Sequence, residues 1–261
     1  MRFGVCCDKE KFSTVKNAGY DYVELCIGSL AQITEEQFKE LKASLNNFNL
    51  KAEAFNGFFP SNMAIVGENR LSDSQIAEYA KKGLSRAAKI GGEIAVIGSG
   101  AARNIPEGFN KNVAREQFMQ VLHICGRAAA ENGMKIAIEP LKKQETNLIN
   151  TVGEGLQLIR EMSDGNVGCL ADFYHMYCEK EDFSVLLNSA PLLLHVHLAR
   201  ANDDRRMPAA EDEFDLVRYA KALKAAGYNN RISLEGSFEP DFKAVIEDVL
   251  PRLKVFNKEN L

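Results

Sequence analysis

Four side chains able to ligate a metal stand in series in this sequence. They are Glu139 in MKIAIEPL, Asp172 in VGCLADFYHM, His197 in LLLHVHLAR and Glu235 in RISLEGSF. Each falls where a short apolar run gives way to a polar stretch. Taken singly, each has an ordinary explanation: a salt-bridge partner or helix cap for either glutamate, a turn residue for Asp172, a core histidine for His197. Those explanations would have to hold independently at four consecutive run ends, so the series is read as one site. Three carboxylates and one imidazole form an oxygen-rich donor set. That set suits one divalent ion such as Mn²⁺, Mg²⁺ or Co²⁺ better than Zn²⁺. Its negative charge exceeds that of the ion, and a pair of substrate oxygens could complete the coordination. His195 and His197 project to the same side of a strand, because side chains alternate with period two. They lie one pleat apart, so only His197, nearer the run's end, is expected to reach the ion. His195 is expected beneath it, as support or core.

The elements that must position these groups alternate along the chain. Strand-like runs occupy 2–7, 21–28, 50–57, 93–100, 134–140, 166–173, 191–199 and 231–237. Helical segments are expected over 8–18, 34–47, 72–90, 111–132, 151–162, 181–189, 213–226 and 241–256. Thr34 followed by Glu35 and Glu36 is an N-terminal signature, and Thr151-Val152-Gly153-Glu154 is a capping box. Gly19, Gly91-Gly92, Asn132-Gly133 and Gly227 supply the stops. The runs are apolar almost throughout, as in strands buried on both faces. Eight strand–helix units in 261 residues, with no Pro/Ser-rich linker, predict an α/β fold: a single (β/α)8 TIM-barrel domain over 1–261. A doubly wound open sheet is the alternative. In a barrel, strands five to eight are neighbours and their C-terminal ends open on one face, so the four ligands can converge.

IEPLKKQET (138–146), DFYHM (172–176), HVHLA (195–199) and SLEG (233–236) resemble the xylose-isomerase-like TIM-barrel superfamily. The resemblance lies with the sugar phosphate isomerase/epimerase group, which includes ketose 3-epimerases and hydroxypyruvate isomerases. It covers the chain in architecture, with the motifs mainly in the second half. It implies one divalent metal held by Glu139, Asp172, His197 and Glu235. It implies further that Glu139 and Glu235 are catalytic, exchanging a proton with a substrate carbon from opposite sides while the metal stabilises an enediolate. Glu145 resembles the family's contact to substrate oxygen, His175 its substrate-binding histidine, and Arg205 or Arg206 its substrate-clamping arginine. The spacing from His197 to these arginines is longer than in ketose 3-epimerases. An inosose-type dehydratase or a lyase on a keto-sugar would use the same metal site.

Composition narrows the classes further. A net charge of −4 and a pI of about 5.7 leave no electrostatic footprint for nucleic acid. That argues against the superfamily's apurinic endonucleases, as does a total of four histidines. No run is long enough to suggest a membrane helix and the N-terminus does not read as a signal peptide, so a cytoplasmic location is expected. The six cysteines form no C-x-x-C pair and read as small buried hydrophobes in a reducing compartment, with Cys6, Cys7 and Cys26 near strand ends. The expected partner is a small carbohydrate, and a homo-oligomer is possible. Phe58-Phe59-Pro60 is either a pocket wall or a packed loop, and Gly98-Ser99-Gly100 is a weak candidate for approaching a phosphate.

Overall fold

A computed structural model of the chain describes residues 1–202 and 204–258. Eight parallel strands form a closed barrel in chain order: β1 (Arg2–Cys6), β2 (Tyr22–Cys26), β3 (Ala52–Asn56), β4 (Ile94–Ile97), β5 (Lys135–Ile138), β6 (Val167–Asp172), β7 (Leu193–Leu198) and β8 (Arg231–Leu234). β1 pairs in parallel with β8, Arg2 opposite Arg231 through Val5 opposite Leu234, and that closure excludes the open-sheet alternative. The fold is a (β/α)8 TIM barrel.

The outer helices are α1 (Phe12–Ala18), α2 (Ile27–Gln32), α3 (Glu35–Asn47), α4 (Asp73–Ala88), α5 (Lys111–Ala130), α6 (Val152–Met162), α7 (Phe173–Cys178), α8 (Glu213–Ala225) and α9 (Phe242–Leu253). Capping boxes at Thr34, Ser72 and Thr151 start α3, α4 and α6. Two helices depart from the sequence expectation. α2 and α7 are six-residue turns that begin on the residue after a strand end, where their apolar side chains read as strand or loop. The segment expected as a helix over 181–189 is a 3-10 turn, Phe183–Asn188. Among the described residues, no helix is long and apolar enough to cross a membrane.

The largest apolar core lies between barrel and helices; a smaller cluster of Ile94, Val96, Ala137 and Leu170 is packed against Leu194. Polar side chains are also buried, among them Tyr22, Glu24, His195 and Ser233. Gly4 leaves space for Tyr22: a Cβ there would stand 2.2 Å from its ring. At the strands' N-terminal end, Glu53 is paired to Arg2 at 2.5 Å and to Arg231 at 3.5 Å, a charged floor beneath the core. Charge at that end of a barrel reads as stability, whereas chemistry belongs to the opposite face.

Candidate metal centre

The opposite face carries the four residues singled out by spacing. Asp172 is the last residue of β6, His197 is next to last in β7, and Glu139 and Glu235 directly follow β5 and β8. Their positions are fixed by ladder hydrogen bonds: Glu139 N donates to Ile97 O and Glu235 N to Leu198 O, both at 3.2 Å. β6 and β7 slip by one residue between Cys169 and Leu170, after which Asp172 lies directly opposite His197. A bulge of this kind re-aims side chains at a sheet's functional end. The outcome is one group, Glu139, Asp172, His197 and Glu235, whose ligand atoms all lie within 4.8 Å of one another.

His197 presents Nδ1 to this group, 3.1 Å from Glu139 Oε1 and 2.9 Å from Glu235 Oε2. Its Nε2 faces away and donates to Glu24 Oε1 at 3.0 Å. Asp172 caps α7 by accepting from Tyr174 N at 2.8 Å, leaving Oδ2 for the cluster. Gly98 is what makes room for Glu139, since a Cβ there would stand 2.2 Å from Glu139 Oε2. The Gly98-Ser99-Gly100 turn is thus a packing device, and Ser99 Oγ is already occupied by Phe59 N. Phe58 and Phe59 are buried against Tyr79, so that loop is packed and not a pocket wall.

Three carboxylates this close together, Glu139 and Asp172 buried and Glu235 partly so, repel one another, and the protein offsets that locally. Burial would raise Asp172, but the Arg205 guanidinium and the neighbouring histidines hold it down to about 2. Burial disfavours a charged His197, yet Glu235, Glu24 and Glu139 push its pKa well above the ordinary range. Burial and Glu235 raise Glu139, whereas Glu235, despite burial, is lowered by His197 and Arg205. An anionic, buried, oxygen-rich cluster with one imidazole nitrogen aimed into it fits a divalent cation.

The other site candidates surround the cluster unevenly. Arg205 bridges it: Nη2 donates to Asp172 Oδ2 at 2.5 Å and to Glu235 Oε2 at 2.6 Å. Arg206 is half-exposed and pairs with Asp204, which separates the two arginines. In the loop after β7, Arg205 adopts φ of +49° and its carbonyl accepts from Ser237 N, and its side chain reaches the cluster. His175 is 2% exposed; its Nδ1 accepts from Lys142 N at 3.3 Å, which leaves Nε2 as a buried donor without a hydrogen-bond partner. Glu145 is not drawn into the cluster. It stands half-exposed, 3.7 Å from Lys142 Nζ.

Several contributors were not picked out by sequence reasoning. Glu24 holds both strand-seven histidines, His195 Nε2 at 2.9 Å and His197 Nε2 at 3.0 Å. Its signal was present as a carboxylate among the apolar residues of YVELCIG, since a buried charge needs a partner. Asn56 Nδ2 donates to Glu235 Oε1 at 2.7 Å and lies 3.5 Å from Cys6 Sγ. Arg103 is fully buried and donates to the carbonyls of Ile97, Glu139 and Ile149, tying the ends of β4 and β5 to the following loop. His123, on α5, pairs with Asp164 and takes no part.

The family model described as Xylose isomerase-like TIM barrel matches residues 12–254. The chain belongs to that family. Among curated relatives of this xylose isomerase-like barrel is 3-dehydro-D-guloside 4-epimerase of Escherichia coli strain K12. It is 25% identical over 235 residues, 87% of this chain and 86% of the relative. D-psicose 3-epimerase of Ruminiclostridium cellulolyticum is 25% identical over 232 residues, 85% of this chain and 75% of the relative. A solved apo structure of 3-keto-D-glucoside 4-epimerase from E. coli shares the fold. It has a TM-score of 0.81 at 22% identity, covering 97% of this chain and 99% of that one.

Proposed function

We propose that this chain is a divalent-metal-dependent sugar isomerase or epimerase that moves a proton at a carbon beside a carbonyl. The observation that carries the reading is the convergence of Glu139, Asp172, His197 and Glu235 to within 4.8 Å on the barrel's C-terminal face. The names of the relatives support the substrate class. A 3-dehydro sugar inverted at C4 and a 2-ketose inverted at C3 both react at a carbon next to a carbonyl. Such a C–H is acidic enough for a positioned carboxylate to remove its proton.

Glu139, Asp172, His197 and Glu235 would hold the ion, which when bound supplies Lewis-acid polarisation of the substrate carbonyl. Glu139 and Glu235 come from β5 and β8 and remove and return the proton at carbon. Their environments drive their proton affinities apart, Glu139 up and Glu235 down, a division that suits one acid and one base. His175 Nε2 offers a hydrogen bond to a substrate oxygen, and Arg205 a second cationic contact. Glu145, whose charge acts on Arg205, is the candidate contact to a distal hydroxyl.

The test is metal analysis of the purified protein followed by NMR in deuterated water, with Mn²⁺ and a panel of ketoses, 3-keto-glycosides and keto-inositols. Deuterium entering at carbon without loss of water is the expected result. Elimination of water would instead select the dehydratase reading of the same site. Glu139→Gln and Glu235→Gln should each lower turnover by about 10²–10⁴-fold. Intact turnover in either variant defeats the proposed mechanism.

A further inference from the structure

Among the described residues, Glu24 is a buried carboxylate that touches the metal candidates without belonging to the four-residue group. It is 1% exposed, sits on β2, and spends both oxygens on histidines of β7 across the barrel. Oε1 accepts from His197 Nε2 at 3.0 Å and Oε2 from His195 Nε2 at 2.9 Å. The register of β2 against β3 slips between Val23 and Glu24, an irregularity at the very residue that must turn inward. His195 is anchored in turn: its Nε2 lies 3.2 Å from Ser233 Oγ, which is 2.9 Å from the Tyr22 hydroxyl. The two imidazoles stand edge to face, with centroids 5.0 Å apart.

A fully occupied carboxylate behind each ring has a definite consequence. Because Glu24 accepts at both oxygens, the ring proton of each histidine is held on Nε2. His195 Nδ1 is accordingly left without a partner, while His197 Nδ1 faces Glu139 and Glu235, where a bound cation would take the place of its proton. We propose that Glu24 is a positioning residue that locks His197 in the Nε2–H tautomer, orients its Nδ1 into the four-residue cluster, and so sets the cluster's affinity for a divalent cation. His195 serves as the counter-clamp that keeps Glu24 from rotating. The inference rests on the metal reading of the site above. It adds the residue that determines how tightly the cation is held.

Carboxylates behind metal-ligating histidines typically alter metal affinity by about 10–100-fold when replaced. The experiment titrates Mn²⁺ into the full-length wild type, Glu24→Gln and Tyr20→Phe by calorimetry. It then records two-bond ¹H–¹⁵N spectra of histidine-labelled, Zn²⁺-loaded protein. Glutamine keeps the shape but presents an amide NH₂ to one of the two imidazoles, so Glu24→Gln should bind Mn²⁺ about 10–100-fold more weakly. Tyr20→Phe removes a buried hydrogen bond, from the Tyr20 hydroxyl to Ile246 O, outside the Glu24 network and should stay within about twofold of wild type, separating positioning from general loosening of the interior. The wild-type spectrum should place the His197 ring proton on Nε2. If wild type binds Mn²⁺ and Glu24→Gln matches it, the inference is overturned while the metal reading stands. If wild type takes up no divalent ion, the metal reading falls and this inference with it. Should Glu24→Gln not fold, the wild-type spectrum decides: a ring proton on Nδ1 of His197 overturns the proposal.

Discussion

Asp172 shows how closely the candidate centre's charges are balanced. Burial opposes its ionisation, yet Arg205 and the histidines keep it at about 2, below the unfolded value of about 3.9. A depressed carboxylate contributes stability that is present above the unfolded pKa and lost as pH falls through the folded one. In the metal-free protein, that contribution should therefore disappear between roughly pH 4 and pH 2. Urea midpoints followed across that range should drop more steeply for wild type than for Asp172→Asn, and parallel curves would contradict the assignment. Arg205 is the other side of the same balance. Arg205→Ala removes the cation bridging Asp172 and Glu235. Where one partner of a buried pair is removed, the cost falls on the charge left behind. Metal-free Arg205→Ala should accordingly unfold at lower temperature than wild type, and added Mn²⁺ should restore more of its stability than it adds to wild type. Calorimetric melting with and without the ion reads both.

At the scale of elements, the site depends on strand ends that arrive level and on turns that leave space. The slip between β6 and β7 sets Asp172 opposite His197, and Arg103 joins the exits of β4 and β5 through their carbonyls. Gly98 is the most exacting of these positions. A methyl group there would meet Glu139 Oε2 at 2.2 Å, so Gly98→Ala must push the carboxylate out of the cluster or bend the turn. Displacement of a reacting group by about an ångström costs on the order of 10²-fold in rate. Gly98→Ala should therefore lose turnover by about that factor and weaken Mn²⁺ binding, while its far-ultraviolet circular dichroism stays that of wild type. Unchanged turnover would show that Glu139 does not work from this position.

For the whole molecule, the barrel brings together groups from strands far apart in the chain, and a bound ion would tie those strands to one another. β2, β5, β6, β7 and β8 all supply a side chain to the cluster or to its support. A ligand that binds only the folded state stabilises it by mass action, about 2.7 kcal/mol at a hundredfold excess over its Kd. For a chain of this size, that corresponds to a rise in Tm of about 5–10 °C, which chelation should reverse. Wild type should show the shift with Mn²⁺. His197→Ala, which removes the only imidazole of the four-residue group, should show little of it.

Much of this architecture was legible in order along the chain, because strand and helix signals are local. Capping boxes, glycine stops and apolar runs are read within a few residues, and eight such units of this length close most simply as a barrel. The positions of Glu139, Asp172, His197 and Glu235 at run ends were legible for the same reason. Six-residue α2 and α7 were not, since a single helical turn carries no periodicity distinct from the strand it follows. Nor could local pattern assign Glu24 to His197, 173 residues away, or separate Arg205 from its neighbour Arg206. Those outcomes depend on ring closure, strand register and loop path, which set who meets whom across the barrel. The amino-acid sequence by itself determined the fold class and the candidate ligands. Only the tertiary structure decided which nitrogen of His197 faces them, what holds it there, and which arginine balances their charge.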